Sequence, residues 1–178
     1  MGKIFRGVPE NLAVDLKSVH GLEVFVETGT FKGRSARWAS SVFKNVYTIE
    51  SNYDFYASTS SQLCSLKNVV TLHGLSQQIL GMALRMFSGS ALIWLDAHWS
   101  RDLGYSKFDE VICPVMQELA VIAQHDVGHV ILIDDLRLFG KERGWPTVNE
   151  VRYALELMGK KVSFETDVFV AVPNGKEK

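Results

Sequence analysis

Short apolar runs rich in β-branched residues alternate with longer segments of helical spacing along most of the chain. In the longer segments an apolar residue recurs about every three or four positions, which leaves one face to cover a sheet. This pattern favours alternating strands and helices. The predicted strands span residues 22–26, 45–49, 69–73, 91–95 and 129–133. The predicted helices span residues 34–43, 53–66, 76–87, 114–123 and 147–158.

The runs at 91–95 and 130–133 are apolar throughout, as expected for central strands that are covered on both faces. Two last segments, 161–165 and 167–172, are joined too closely for a helical crossover and should pair antiparallel. We therefore expect an α/β fold: a Rossmann-like single domain with a mostly parallel seven-stranded sheet, a C-terminal antiparallel hairpin and helices on both faces.

No internal repeat or linker divides the 178 residues, and a chain of this length supports one hydrophobic core. We predict a lead-in segment over residues 1–21 and one domain over residues 22–178. The longest polar, irregular insertion, at 99–113, follows a central strand. Ligands of open α/β sheets bind beyond the carboxyl ends of the strands, so this insertion should cover a site.

A glycine-containing turn joins the first predicted strand to the first predicted helix. It does not fit the dinucleotide pattern, because Phe31 and Arg34 stand at the second and third glycine places. It does not fit the phosphate-binding loop either, because Gly33 falls one place early. What remains is acidic-x-Gly-x-x-x-Gly-x-Ser, which a tight turn that merely needs glycine would also satisfy.

This pattern resembles motif I of the class I S-adenosylmethionine-dependent methyltransferases. The resemblance implies that the domain binds S-adenosylmethionine through the turn and its flanks. The residues it assigns to cofactor binding are Glu27, Thr28, Gly29, Thr30, Gly33 and Ser35.

The ends of the next two predicted strands extend this interpretation. Glu50 ends the second strand, where a carboxylate can accept hydrogen bonds from both ribose hydroxyls, with Ser51 beside it. The resemblance implies that Gly74 and Ser76, after the third strand, bind the adenine edge. Relatives often carry an acid between these two positions, but this chain has Leu75, which leaves adenine recognition to Ser76 and backbone groups.

Carboxylates follow both central strands: Asp96 after one, Asp134 and Asp135 after the other. Three carboxylates in one pocket repel one another unless they are protonated, hydrogen-bonded or bound to a cation. A hard cation such as Mg²⁺ suits oxygen ligands. The pattern resembles the metal-dependent small-molecule O-methyltransferases, including catechol O-methyltransferase and the macrocin O-methyltransferase group with its cephalosporin hydroxylase-like relatives. The resemblance implies that the three carboxylates hold the metal; alternatively, Asp96 orients the methionine part of the cofactor and Asp134 and Asp135 cap a loop.

His98, two residues beyond Asp96, is a candidate general base for a substrate hydroxyl, since an imidazole can take up a proton near neutral pH. Asp96 and His98 are thus the candidate catalytic residues; a hydrogen-bonded loop histidine is the alternative. Trp99, Tyr105 and Trp145 could wall an acceptor pocket or serve as packing lids. Arg137 could meet an anionic substrate, but a surface charge is the favoured interpretation.

The 19 basic and 20 acidic residues form no basic stripe, so we expect no nucleic-acid partner. No apolar run approaches the roughly 18 residues of a membrane span and no secretory signal is visible, so we expect a soluble cytoplasmic protein without a membrane partner. The predicted function is methyl transfer to a hydroxyl of a small-molecule or sugar-like acceptor. A hydroxylase-like or other enzyme on this fold, or a non-catalytic S-adenosylmethionine-binding protein, are the alternatives. Because the fold uses nearly the whole chain, a partner subunit or the 99–113 insertion must complete the pocket, and we predict a homo-oligomer.

Overall fold

The computed structural model describes residues 7–98 and 112–175. The strands are β1 Val24–Thr28, β2 Asn45–Glu50, β3 Val69–His73, β4 Ala91–Leu95, β5 Val130–Ile133, β6 Lys160–Glu165 and β7 Val168–Pro173. The helices are α1 Glu10–His20, α2 Arg34–Ser40, α3 Tyr53–Leu63, α4 Ser76–Leu84, α5 Val115–His125 and α6 Val148–Leu157, with a short 3₁₀ helix at Leu136–Leu138. None of the described helices is long and apolar enough to cross a membrane.

The strands form one seven-stranded sheet in the order β3-β2-β1-β4-β5-β7-β6. The first five strands are parallel, β7 runs antiparallel to β5, and β6 runs antiparallel to β7. The predicted mostly parallel sheet with its C-terminal antiparallel hairpin is confirmed. This order places the ends of β2, β1, β4 and β5 side by side at one edge of the sheet.

Two hydrophobic clusters cover the two faces of the sheet. One combines alternate strand residues with α4, α5 and α6, and the other combines the intervening strand residues with α1, α2 and α3. Within β1, for example, Val24 and Val26 belong to the first cluster and Phe25 to the second. Helices therefore lie on both faces, as the apolar pattern predicts.

Several element boundaries differ from the sequence-based prediction. β1 begins two residues later than expected and continues through Glu27 and Thr28, because both pair in register with β2 and β4. Helices α2, α3 and α4 end three residues earlier than predicted. Apolar residues beyond these ends, such as Phe43 and Leu66, pack against the core from turns, and periodicity alone does not distinguish this from another helical turn.

The lead-in segment contains helix α1, which ends at Gly21 in the left-handed conformation, φ 64°. Ala13 of this helix is buried in the cluster that includes Phe25. The backbone N–H of Val8 donates to the Ser35 hydroxyl over 3.2 Å. This segment therefore packs on the same face as α2 and α3. Of the 99–113 insertion, residues 99–111 lie outside the described residues, including Trp99 and Tyr105.

Candidate active site at the carboxyl edge of the sheet

The turn after β1 lies tightly between the ends of β2 and β4. Gly29 has φ 86°, and a Cβ atom there would lie 2.4 Å from the carbonyl oxygen of Asp96. Its N–H donates to the Ile49 carbonyl over 2.9 Å. Gly33 has φ 68°, and its Cβ would lie 2.6 Å from Thr59 Cγ2. Both positions therefore require glycine, for the left-handed backbone and for the space.

Glu50 connects the end of β2 to this turn. Its side chain is buried, and its carboxylate accepts from the N–H of Phe31 over 2.8 Å and of Asn52 over 2.9 Å. Thr59 fixes the turn from the other side by donating to the Phe31 carbonyl over 2.6 Å. A carboxylate has about four lone-pair sites, so two N–H bonds leave capacity for ribose hydroxyls.

Glu27 points into the protein interior. Thr48 donates to its carboxyl over 2.7 Å, and Thr48 in turn is hydrogen-bonded to Thr30. Burial, chiefly through desolvation, raises the pKa of Glu27 to about 8. In this conformation Glu27 and Thr30 are linked through Thr48 and stabilise the turn from its buried side. Their contact with a cofactor stays a prediction.

Other predicted cofactor residues lie around the same edge. Ser35 bonds to the lead-in segment, as described above, and Ser51 is exposed and accepts through its carbonyl from His73 Nε2 over 3.2 Å. Gly74 follows β3 with φ 142°, and Ser76 is buried at the first turn of α4. Their roles toward a cofactor likewise stay predictions.

Asp96, His98 and Asp135 meet where β4 and β5 end. His98 Nε2 lies 2.7 Å from Asp135 Oδ2, and His98 Nδ1 lies 3.4 Å from Asp96 Oδ1. The N–H of Asp134 donates to the Leu95 carbonyl over 3.1 Å, which continues the strand pairing beyond the sheet. The sequence-based expectation that these strand ends deliver their carboxylates to one place is met.

The charges of these carboxylates are unequally compensated. Desolvation, followed by repulsion from Asp134 and Asp135, raises the pKa of Asp96 well above its ordinary value. Desolvation and the charge of Asp135 raise the pKa of Asp134 to about 7. Desolvation alone would also raise the pKa of Asp135, but the hydrogen bond from His98 and the charge of Arg137 lower it. His98 and Arg137 thus stabilise the negative charge of Asp135, whereas burial and repulsion disfavour the charges of Asp96 and Asp134.

Arg137 is a structural member of the site, and its interpretation as a surface charge is wrong. Its guanidinium forms ion pairs with Asp135 and Asp167, and its N–H donates to Asp167 over 2.7 Å. Asp167 lies between β6 and β7, far along the chain from the other site residues. No local sequence signal indicates this partner, because only the placement of β7 beside β5 brings it close.

The donor set fits a hard cation. Among the described residues, two groups have ligand atoms within 4.8 Å of one another: Asp96, His98 and Asp135 in one, and Asp134, Asp135 and Asp167 in the other. Asp135 is common to both groups, but its charge is already balanced. A cation would relieve the charges of Asp96 and Asp134 most, since burial and repulsion raise the pKa of each.

A pocket opens beside this cluster. Trp145 stands next to His98, with ring centroids 5.0 Å apart, and Phe139 packs edge-on against Trp145. Glu118 of α5, which the sequence-based prediction assigned only to a helix, also reaches the pocket. The lining residues used below are Asp96, His98, Glu118, Asp134, Phe139 and Trp145.

Comparison with solved structures defines the fold class. The O-methyltransferase TomG of tomaymycin synthesis from Streptomyces achromogenes, in complex with S-adenosylmethionine, is 19% identical with a TM-score of 0.61, and the alignment covers 96% of this chain and 82% of that one. An amino pentose methyltransferase of calicheamicin biosynthesis from Micromonospora echinaspora, also bound to S-adenosylmethionine, is 12% identical with a TM-score of 0.62, covering 95% and 93%.

An O-methyltransferase from Bacillus cereus, in complex with S-adenosylhomocysteine, is 17% identical with a TM-score of 0.57, covering 93% of this chain and 82% of that one. No protein-family model and no curated protein matches the chain. The chain therefore has the fold of the class I S-adenosylmethionine-dependent methyltransferases, which confirms the resemblance at the level of fold. Because fold does not determine activity, the function is argued from the site.

Proposed function

We propose that this chain is an S-adenosylmethionine-dependent methyltransferase that acts on a hydroxyl group of a small-molecule or sugar-like acceptor. The observation that carries the proposal is the close contact between the glycine turn and the end of β4. Gly29 lies against the carbonyl of Asp96, while Phe31 in the same turn bonds to Glu50. This turn therefore contacts both Glu50, whose carboxylate can accept hydrogen bonds from a ribose, and the end of β4, which carries the acid–base groups Asp96 and His98.

The cofactor assignments follow from these positions. Glu50 accepts from the ribose hydroxyls, the turn around Gly29 holds the methionine part, and Asp96 faces the sulfonium end. The bound S-adenosylmethionine or S-adenosylhomocysteine of the structurally similar proteins supports this choice of cofactor. Glu27, Thr28 and Thr30 are buried and would support the cofactor turn from beneath. The remaining assigned residues would surround the cofactor: Gly33, Ser35, Ser51, Gly74 and Ser76.

The reaction is an in-line displacement. An acceptor oxygen forms a bond to the methyl carbon as the carbon–sulfur bond breaks, and the electron pair of that bond goes to sulfur, which leaves as the thioether of S-adenosylhomocysteine. Holding oxygen, carbon and sulfur in line can lower such a barrier by roughly 7–11 kcal/mol. Positioning therefore contributes more than base assistance, which is typically worth about 10²–10⁴-fold in rate.

His98 receives the hydroxyl proton. Its Nε2 is close enough to Asp135 to donate a hydrogen bond at 2.7 Å, whereas Nδ1 is 3.4 Å from Asp96. The short bond orients the ring and assigns the hydrogen to Nε2, which leaves the lone pair on Nδ1 to accept a proton. Asp135 thus acts through His98, and Arg137 acts through Asp135.

A magnesium ion would be held by Asp96, Asp134 and Asp135; each of the two donor groups among the described residues contains Asp135 with one of the other two, so binding by all three requires Asp96 and Asp134 to move together. When bound, it would lower the pKa of the acceptor hydroxyl and fix its direction of attack. The positive charge of the ion would also stabilise the ionised forms of these three carboxyl groups. Addition of Mg²⁺ or of a chelator to the purified protein tests this requirement.

Isothermal titration calorimetry with S-adenosylmethionine tests the cofactor claim. Glu50→Ala should abolish measurable binding, whereas Glu23→Ala, which removes an exposed glutamate paired with Lys44, should leave it unchanged. Absence of binding to the wild-type protein would contradict the proposal.

A panel of hydroxyl acceptors, with S-adenosylhomocysteine formation as the readout, tests transfer. His98→Ala should retain cofactor binding and lose most of the transfer rate, while His125→Ala at the opposite edge should keep both. Wild-type protein that binds the cofactor but transfers to none of these acceptors would favour the non-catalytic alternative.

We further propose that the enzyme works in the cytoplasm as a homo-oligomer whose partner subunit completes the acceptor pocket. This rests on the described residues, in which the helices and strands run from Glu10 to Pro173 and include no separate acceptor-binding unit. Light scattering coupled to size-exclusion chromatography measures the oligomeric state, and a monomer with full activity would contradict the proposal.

A further inference from the structure

Strand β6 is the outermost strand at one end of the sheet. It follows β7 in the strand order, and no other described strand pairs with its outer side. Its exposed residues are Lys161, Ser163, Phe164 and Glu165. An outermost strand carries unpaired N–H and C=O groups, which can pair with a strand of another chain.

The pairing of β6 with β7 determines which backbone groups point outward. The N–H of Asn174 donates to the Gly159 carbonyl over 3.0 Å, and the register then continues without interruption along the whole of β6. Backbone groups of successive residues alternate between the two sides of an antiparallel strand. The odd-numbered residues of β6 therefore bond to β7, and the N–H and C=O groups of Val162 and Phe164 point outward.

The side chains of Val162 and Phe164 lie on the face of the sheet that α6 covers. Val162 packs against the cluster that includes α6. The ring of Phe164 lies 5.3 Å from that of Phe169 and 5.7 Å from the guanidinium carbon of Arg152. Phe164 is nevertheless 43% exposed, so a neighbouring strand would bury apolar surface there.

The opposite face of β6 carries complementary charges. Lys161 and Glu165 are both exposed, and neither forms an ion pair within the described part of the chain. A lysine on an outermost strand commonly prevents pairing with other chains. Here a glutamate follows on the same face, so the lysine of one copy can meet the glutamate of another in an antiparallel pair.

The outward backbone groups limit the register of such a pair. Hydrogen bonds form only where outward-facing residues of the two strands stand opposite each other. One register that meets this condition places Ser163 opposite Ser163 of the second copy and Val162 opposite Phe164. Lys161 then stands opposite Glu165 in a pair without backbone hydrogen bonds, where side chains approach more closely. A shift in either direction separates these charges.

We propose that two copies of this chain pair antiparallel through β6, about a twofold axis at Ser163, and so form one continuous sheet. The interface is self-complementary, since each Lys161 meets the Glu165 of the other copy. The inference rests on the part of the proposed function that makes the protein a homo-oligomer. It requires neither the cofactor nor the transfer reaction.

Charge reversal tests the ion pairs. Lys161→Glu places like charges opposite each other on both sides of the axis and should weaken dimerisation at least about tenfold. Glu165→Lys should do the same, whereas the two changes together should restore the wild-type affinity, because the attraction returns with its signs exchanged. Lys67→Glu, the same change at an exposed position before β3, should have no effect. Sedimentation velocity over a concentration series measures the dissociation constant.

Disulfide formation tests the register. The Cα atoms of a pair without backbone hydrogen bonds lie about 4.5 Å apart, which a disulfide can bridge. Ser163→Cys should therefore form covalent dimers on mild oxidation, in a Cys64→Ser background that removes the exposed native thiol. Glu165→Cys is the matched control, because it lies on the same face but opposite Lys161. Electrophoresis without reductant separates covalent dimers from monomers.

The outcomes separate this inference from the proposed function. A wild-type protein that is monomeric throughout the concentration series would overturn the inference and the proposed homo-oligomer together, and would leave Lys161 as a protective charge. A dimer that neither single charge reversal weakens would overturn the inference alone. Failure of the double variant to restore dimerisation would also contradict it, provided that circular dichroism shows a folded protein.

If a charge variant does not fold, the disulfide test decides: equal yields of covalent dimer from Ser163→Cys and Glu165→Cys would overturn the register. Absence of S-adenosylmethionine binding would refute the proposed activity and leave the β6 interface unaffected.

Discussion

The parallel strands begin at one end of the sheet, which we call the amino edge, and finish at the other, the carboxyl edge. Both edges bury charged side chains, but those at the amino edge have a partner of opposite charge, whereas several at the carboxyl edge have none among the described residues. At the amino edge, Lys160 Nζ lies 2.7 Å from an Asp126 carboxylate oxygen and donates to the His129 carbonyl over 2.7 Å. His129 accepts from the N–H of Ala91 through Nδ1 over 3.0 Å. These charged and polar groups are matched with partners, as buried groups in stable interiors usually are.

At the carboxyl edge, acidic groups accumulate instead. Burial raises the pKa values of Glu27, Asp96 and Asp134, and Glu118 keeps a carboxyl oxygen without a hydrogen-bond partner in the part of the chain that the structure describes. Such arrangements lower stability and persist where a ligand uses them. The comparison therefore favours the carboxyl edge as the candidate functional edge and the amino edge as a structural one. Substitutions at the two edges, given in decreasing order of expected magnitude, test that distinction.

Removal of the buried cation should have the largest effect. Lys160→Met removes the cation beside Asp126 and leaves its carboxylate with only the N–H donors of Gly128 and His129, which should lower the free energy of unfolding by about 3–5 kcal/mol. Lys67→Met, at an exposed position of the same edge, should change it by less than about 0.5 kcal/mol. Urea denaturation measures both. Similar losses for the two variants would contradict the structural role of the amino edge.

Gly29→Ala tests the close approach of the turn to β4. The left-handed backbone alone costs an alanine about 1–2 kcal/mol, and the contact with the Asp96 carbonyl adds typically 1–3 kcal/mol. Gly21→Ala is the matched control, because Gly21 has φ 64° but, apart from its chain neighbours, no atom of the described residues lies within 4 Å of its Cβ position. Gly29→Ala should also lose cofactor binding. Equal destabilisation of the two variants in thermal denaturation would argue against the close contact.

The free energy of unfolding should depend on pH through the ionisation of Glu27. An unfolded carboxyl ionises near its ordinary pKa of 4.5, but the folded one does so only at about 8. Between these values the folded state binds more protons, so the free energy of unfolding falls as pH rises, by at most about 1.4 kcal/mol per pH unit.

Denaturant titrations between about pH 5 and pH 8 measure this slope. Glu27→Gln should flatten it relative to the wild-type protein, whereas Glu23→Gln, at an exposed position, should not. An unchanged slope in Glu27→Gln would show that Glu27 is already ionised in the folded protein.

The smallest expected effect is that of Asp134→Asn, and its sign is opposite to that of the matched change at the amino edge. Asp134→Asn removes an uncompensated carboxylate and should stabilise the ligand-free protein by about 1 kcal/mol while it lowers any Mg²⁺-dependent transfer. Asp126→Asn removes the partner of Lys160 and should destabilise it. Melting temperatures without ligand decide this, and a loss of stability in both variants would remove the distinction between the edges.

The sequence alone determined the arrangement of elements. Apolar periodicity is a local property, so it predicted all seven strands, the five helices that follow β1 to β5 and the antiparallel hairpin. The rule that parallel strands end at one edge then indicated that the glycine turn, Glu50, Asp96 and the two aspartates after β5 share that edge. These inferences needed no knowledge of side-chain contacts.

The partners of these residues, in contrast, follow from the tertiary structure alone. Arg137 meets Asp167 because β7 lies beside β5, and Glu118 meets Ser76 and Thr28 because α5 packs next to α4. Burial also makes Glu27 an interior acid with a raised pKa rather than an exposed turn residue. The physical reason is the same in each case: compensation or desolvation of a charge depends on groups that are distant in the chain, and a local pattern carries no information about them.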